Sequence, residues 1–122
     1  MKYNNKKIGD LGENIAVDYL YSIGYSIIEK NFRCKTGEID IISQNKNTIC
    51  FIEVKTRHSK NYGEPCEAVN HFKRIKIYRT AYIYVQKNKL YKYNIRFDII
   101  EIMINSNKKS YNIKLIKNAF QV

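Results

Sequence analysis

Acidic residues number only 11 in a chain of 122, yet several interrupt apolar runs of β type. One run reads Gly37-Glu38-Ile39-Asp40-Ile41-Ile42, and another Ile49-Cys50-Phe51-Ile52-Glu53-Val54-Lys55-Thr56-Arg57. Side chains alternate across a strand, so Glu38 and Asp40 share one face of the first run, and Glu53 and Lys55 one face of the second. The polar stretch Gln44-Asn45-Lys46-Asn47 between them reads as a hairpin turn. A tight turn at Asn45-Lys46 or Lys46-Asn47 sets Glu53 opposite either Glu38 or Asp40 and diagonal to the other. Facing Cβ atoms lie roughly 5 Å apart. Carboxylates that close repel unless a cation or a proton sits between them, and Lys55 offsets only one.

The chemistry this suggests is phosphodiester hydrolysis. Asp40 and Glu53 supply hard oxygen donors for Mg²⁺ or Mn²⁺, and Mg²⁺ is often held by one or two carboxylates plus waters. The Val54 carbonyl is a candidate third ligand, because its side chain points the other way. Lys55 would stand beside the attacking water or the scissile phosphate, to orient or deprotonate the first and to stabilise charge on the second. The alternative is a salt-bridged hairpin with Glu53 and Lys55 on an exposed edge, where such pairs are common and weak. Ile39, Ile41, Ile42, Phe51, Ile52 and Val54 argue that both strands are buried on at least one face. Glu13 is a further candidate, bordering the apolar stripe of a helix near Ala16 and Leu20. Gly9 and Gly12 leave room there for close packing, so Glu13 either reaches the same pocket or is an ordinary amphipathic-helix glutamate.

These side chains need elements to position them. From Lys7 to Ser22 the spacing predicts a helix with a stripe of Ile8, Leu11, Ile15, Tyr19 and Ile23, widened by Ala16 and Leu20, and with Asp10, Asn14 and Asp18 outward. Gly24 is placed to stop it. Strands follow at Tyr25–Arg33, Glu38–Ser43 and Thr48–Lys55, then a loop from Thr56 to Glu67 broken by Gly63 and Pro65. A second helix is predicted over Asn70–Lys87 with a stripe of Phe72, Ile75, Tyr78 and Tyr82. Strands at Asn94–Ile104 and Tyr111–Ile116, separated by a turn, complete an α-β-β-β-α-β-β order. Helices at these points can cover both faces of a mixed sheet, an α/β arrangement. A chain of 122 residues (14.5 kDa) suits a single domain over 1–122.

Composition narrows the partners. Lys and Arg total 22, for a net charge of +11. Ala68 to Phe97 contains no acid but carries Lys73, Arg74, Lys76, Arg79, Lys87, Lys89, Lys92 and Arg96. Such a surplus attracts a polyanion, since each neutralised phosphate releases counterions. Lys73, Arg74 and Lys76 on the second helix, and Arg57 beside the carboxylates, are the candidate phosphate contacts. The 11 tyrosines are expected mostly in the core, some being free to stack on bases. Cys34, Cys50 and Cys66 form no CxxC pair, so neither a zinc site nor a disulfide framework is suggested, and a reducing cytoplasm is the simpler setting. His58 and His71 read as loop and helix-surface residues. No apolar run is long enough for a membrane span, no signal peptide is evident, and no Gly-rich phosphate loop is present.

Asp40 followed after a hairpin by Glu53-Val54-Lys55 resembles the PD-(D/E)xK nuclease signature, with Ile39 where the motif's proline would stand. The wider set resembles the bacterial YraN-like uncharacterised protein family (UPF). It comprises Gly12-Glu13 with Ala16, Asn31-Phe32-Arg33, Gly37 to Ile42, Phe51 to Arg57, Gly63-Glu64-Pro65, Glu67-Ala68-Val69, Lys73, Arg96-Phe97-Asp98 and Ala119-Phe120. The resemblance implies a restriction-endonuclease-like mixed sheet flanked by helices, similar to archaeal Holliday-junction resolvases. It implies Asp40 and Glu53 as ligands of Mg²⁺ or Mn²⁺, Lys55 as the catalytic lysine and Glu13 as a helix-borne acid. The leading expectation is a metal-dependent DNA endonuclease, structure-selective for branched or junction DNA, cytoplasmic and not membrane-bound. Pairing of two active sites in a homodimer is compatible with it. The alternative is a nucleic-acid-binding module with the same fold that does not cut; an adaptor role has no motif in its favour.

Overall fold

In the computed structural model, residues 5–58, 70–105 and 110–121 are described. The elements follow the expected order: α1 (Asn5–Ser22), β1 (Ser26–Cys34), β2 (Gly37–Asn45), β3 (Thr48–His58), α2 (His71–Lys87), β4 (Asn94–Asn105) and β5 (Ser110–Ile116). The strands form one five-stranded sheet in the order β1-β2-β3-β4-β5. β3 and β4 run parallel, from Thr48↔Asn94 to His58↔Ile104, and the other neighbours are antiparallel. This is an α/β fold with a mixed sheet. The parallel pair requires a crossover between β3 and β4, and α2 lies on it. Thr56, Arg57 and His58, expected in a loop, instead extend β3, because β4 gives their backbone a full-length partner. The rest of that loop, with Gly63, Pro65, Cys66 and Glu67, lies outside the described residues.

The two helices cover opposite faces. On the α1 side Ala16, Leu20, Tyr25, Ile41, Cys50, Ile52, Ile100 and Ile102 pack together. On the α2 side the core is Phe32, Ile39, Ile42, Ile49, Phe51, Ile77, Ala81, Tyr84, Ile99 and Phe120. Phe97 stacks between Phe51 and Phe120, with Tyr78 edge-on to it. Each helix is rotated from its expected phase. α1 buries Gly12, Ala16 and Leu20, while Leu11 is 45% exposed and Ile23 also faces solvent. Small residues decide this. A Cβ on Gly12 would lie 1.9 Å from Thr56 Oγ1, so the helix backbone rests directly on β3 there. Gly9 has open space around its Cα and contributes nothing to the approach. α2 buries Ile77, Thr80, Ala81 and Tyr84, and leaves Phe72 and Tyr82 exposed.

α1 ends as expected: Gly24 takes φ 90° and Tyr25 N–H donates to the Leu20 carbonyl at 2.9 Å. α2 begins with Asn70, whose side chain accepts from Lys73 N–H at 3.0 Å. The β2–β3 turn is the two-residue Lys46-Asn47, with Asn45 paired to Thr48 and Lys46 left-handed at φ 55°. Among the described residues few tyrosines are core residues: of those near the basic helix only Tyr84 is buried, with Tyr78 and Tyr93 partly covered and Tyr82 and Tyr91 exposed. On the α1 face Arg96 Nε and Nη2 grip the fully buried Asp98 at 2.9–3.1 Å, and Asn118 N–H donates to the same carboxylate at 2.8 Å.

Candidate functional site

The ladder between β2 and β3 runs from Asn45↔Thr48 to Ile41↔Ile52 and goes no further. One more step of that register sets Asp40 against Glu53, so of the two alternatives the turn left open, Asp40 is the facing residue. β3 continues along β4 to His58, and β2 continues along β1 to Gly37. The two strands therefore fork at Asp40 and Glu53. Alternation breaks at the same place: Ile39 packs on the α2 side and Ile41, two residues on, on the α1 side. Opposite this break in β1, Asn31 adopts a left-handed φ of 55°. In place of a ladder bond, Asp40 Oδ2 accepts the Val54 N–H at 2.8 Å.

Glu53 and Lys55 lie deep in the fold, at 9% and 8% exposure. Their ion pair is 3.2 Å long, and Lys73 from α2 reaches the same Glu53 oxygen, Oε1, at 2.7 Å. The expectation of a shared face for Glu53 and Lys55 holds, and Val54 packs on the opposite, α1 side. A weak exposed pair is ruled out, because both side chains are only 10% exposed. Lys73 was expected only as a phosphate contact, yet it belongs to the carboxylate cluster. The signal was the spacing Lys73, Ile77, Thr80, Tyr84, which puts Lys73 on the sheet-facing stripe of α2.

Electrostatics separate these groups. Burial, then the Glu53 charge, pushes the Asp40 carboxyl up from 3.8 to about 7, against the pull of the Val54 N–H. Burial, reinforced by the Lys73 ammonium, lowers Lys55. Burial is the largest single influence on Lys73 and opposes its charge, but the hydrogen bonds to Glu53 and Lys55 and the charges of Glu53 and Asp40 together outweigh it and raise the ammonium. Lys55 is thus the readier of the two lysines to release a proton. Glu13, half-buried on α1, is raised chiefly by burial and countered by the nearby Asn31 amide; its charge in turn bears on Asp40.

The other expected residues stand further out. Arg57 follows Lys55 by two positions and donates to the Thr56 carbonyl at 3.1 Å. Arg74 turns to the other flank of α2, with its guanidinium 5.7 Å from the Phe120 ring centre. Lys76 is exposed beside a hollow of about 390 Å³, lined also by Gly37, Glu38, Asn70, Phe72, Lys73 and Ile77.

The donors suit a small, hard cation. Asp40 and Glu53 offer carboxylate oxygens in a buried fork, and the charge on Asp40 is opposed by burial and by Glu53. Among the described residues no three His, Cys, Asp or Glu side chains converge as a ready-made cage. Two carboxylates without a third would suit an ion that keeps several waters, as Mg²⁺ does.

Fold and site together define an α/β protein with two carboxylates at a strand fork, of which Glu53 is paired with two lysines. The chain belongs to uncharacterised protein family UPF0102, whose profile matches residues 12–102. It is 58% identical over 118 residues to a UPF0102 protein of Clostridium kluyveri, covering 97% of each chain. Similar relatives occur in Clostridium botulinum strain Kyoto (56% over 123 residues, all of both chains) and Clostridium acetobutylicum (54% over 118 residues, 97% of each). Among the described residues no helix is long and apolar enough to cross a membrane.

Proposed function

We propose that the protein is a metal-dependent endonuclease that hydrolyses phosphodiester bonds in DNA, with a preference for branched or junction structures, on a restriction-endonuclease-like sheet. The observation that carries this reading is the fork, which sets Asp40 against Glu53, with Lys55 and Lys73 both at the Glu53 carboxylate. Asp40 and Glu53, with the Val54 carbonyl, would hold Mg²⁺ or Mn²⁺. When bound, such an ion lowers the pKa of water and offsets charge on the phosphoryl oxygens.

The protein's own groups do the rest. Lys55, its charge disfavoured by burial, is suited to orient the attacking water and accept its proton. Lys73 keeps its charge and can transfer from Glu53 to a non-bridging phosphate oxygen, where anionic charge builds up. Glu13, whose charge bears on Asp40 from α1, would position water. Arg57 and the exposed Lys76 are suited to neighbouring phosphates, with a net charge of +11 drawing the polyanion in.

The test is incubation of the pure protein with branched, single-stranded and duplex DNA in Mg²⁺ or Mn²⁺. Cleavage by the wild type that is lost in both Asp40→Ala and Lys55→Ala supports the reading. No cleavage of any substrate, or equal cleavage by the variants, refutes it. One observation favours a second reading, a binding module that does not cut: two ammonium groups already pair with Glu53 without any metal ion. That reading requires salt-sensitive binding that Asp40→Asn and metal removal leave unchanged.

A further inference from the structure

The hollow between the N-terminal end of α2 and the start of β2 adjoins the carboxylate–lysine cluster, because Lys73 borders both. Its volume, about 390 Å³, falls within the roughly 300–1,000 Å³ range of small-molecule sites. Its wall includes Phe72, the most exposed large apolar residue of the described structure at 77%. The ring contact recorded for Phe72 is edge-on to His71, with centroids 6.4 Å apart. An aromatic face this open is costly in water and invites a flat apolar partner.

The surroundings specify the partner's charge. Lys73 and Lys76 line the hollow, and Arg79 lies one turn further along α2. Glu38 is its carboxylate and is held by Arg33 at 3.0 Å, so it adds an acceptor without leaving an unbalanced charge. A ligand with a flat ring, amino-group donors and an anionic linkage matches all three features. A nucleotide is such a ligand, and its base must be unpaired to present a free face. A blunt duplex keeps its bases stacked on each other and can offer only phosphates to Lys76 and Arg79.

We propose that this hollow receives one unpaired nucleobase, stacked on Phe72, from the strand whose phosphate lies at the Asp40–Glu53–Lys55 cluster. The inference rests on the nucleic-acid reading above and narrows its substrate to strands with unpaired nucleotides next to the point of attack: flaps, gaps, junction arms or single strands.

The test uses binding without metal, so that it does not depend on cleavage. Anisotropy is measured in EDTA with short single-stranded DNA, the same sequence in RNA, and a blunt DNA duplex. A 2-aminopurine placed in the single strand reports stacking by quenching. Base–aromatic stacking is worth roughly 1–3 kcal/mol per base, so Phe72→Ala should weaken single-strand affinity about 5- to 150-fold and remove the quenching. Duplex affinity should change less than about 2-fold, and Phe72→Tyr should keep wild-type behaviour. Loss in both DNA and RNA supports the proposal and assigns the hollow to either sugar; loss in one alone supports it for that nucleic acid. Single-strand affinity and quenching that survive Phe72→Ala, or an equal loss for duplex, overturn it. Quenching that depends on Phe72 in a protein that cuts nothing sinks the nuclease reading and leaves the hollow standing. Cleavage that is indifferent to Phe72, with no quenching, does the reverse.

Discussion

Removing the Asp40 charge should stabilise the protein, and by an amount that depends on pH. Asp40→Asn keeps an oxygen to accept the Val54 N–H and abolishes the ionisation. In the wild type, burial and Glu53 lift this carboxyl from 3.8 to about 7. Between those values the folded protein retains a proton that the unfolded chain has released. Wild-type stability therefore falls as pH rises through the window, by up to about 1.4 kcal/mol per pH unit. Below about pH 4 the penalty is absent, and above about pH 7 it is complete, at about 4 kcal/mol. Adjustment of Lys55 and Lys73 toward the ionised group reduces it, so the variant should be more stable at pH 8 by about 2–4 kcal/mol. Urea unfolding of both proteins in EDTA, at intervals from acid to pH 8, measures the difference. Adding Mn²⁺ at pH 8 should raise the wild type by mass action and leave the variant unmoved. A variant less stable than wild type at pH 8, or a gap that does not vary with pH, would falsify the reasoning.

Lys73→Met leaves Glu53 with Lys55 alone, and since Lys73 is partly exposed the loss should be about 1 kcal/mol in urea unfolding, with weaker nucleic-acid binding alongside. Gly12→Ala would ordinarily favour a helix, but its Cβ would meet Thr56 Oγ1 at 1.9 Å; calorimetry should show a loss of about 1–3 kcal/mol, partly restored by Thr56→Ala in a double-mutant cycle. Arg96→Ala strands the fully buried Asp98, and thermal unfolding should register a loss of about 3–5 kcal/mol. Lys76→Ala should lower the salt dependence of DNA binding by about one phosphate contact without altering discrimination between sequences.

The order of elements could be read from the chain because period-2 runs such as Glu38–Ile42 and Ile95–Ile102 contrast with longer helical patterns. The site's acid–lysine set was legible for the same reason: charge inside Ile39–Ile42 and Phe51–Val54 stands out against an apolar run. Helix phase was not. Hydrophobic spacing favoured Leu11, Tyr19 and Ile23, whereas the contact on β3 is made by Gly12 and Ala16, which pattern reading weighs lightly. In α2 the large apolar residues Phe72 and Tyr82 drew the stripe outward, while Thr80 faces inward, held by bonds to Thr36 and the Lys76 carbonyl. That misphasing hid Lys73. The break at Asp40 was equally invisible, since it depends on a left-handed Asn31 in the neighbouring strand.

The Arg96–Asp98–Asn118 latch has a consequence for biogenesis. It holds Ala119, whose N–H donates to the Phe97 carbonyl at 2.8 Å, and sets Phe120 against Phe97. These residues are synthesised after both helices and every strand. Sheet and helices formed before this segment docks would leave the Phe97 ring without the stack that Phe120 supplies, so the C-terminal residues close the aromatic layer from outside the sheet.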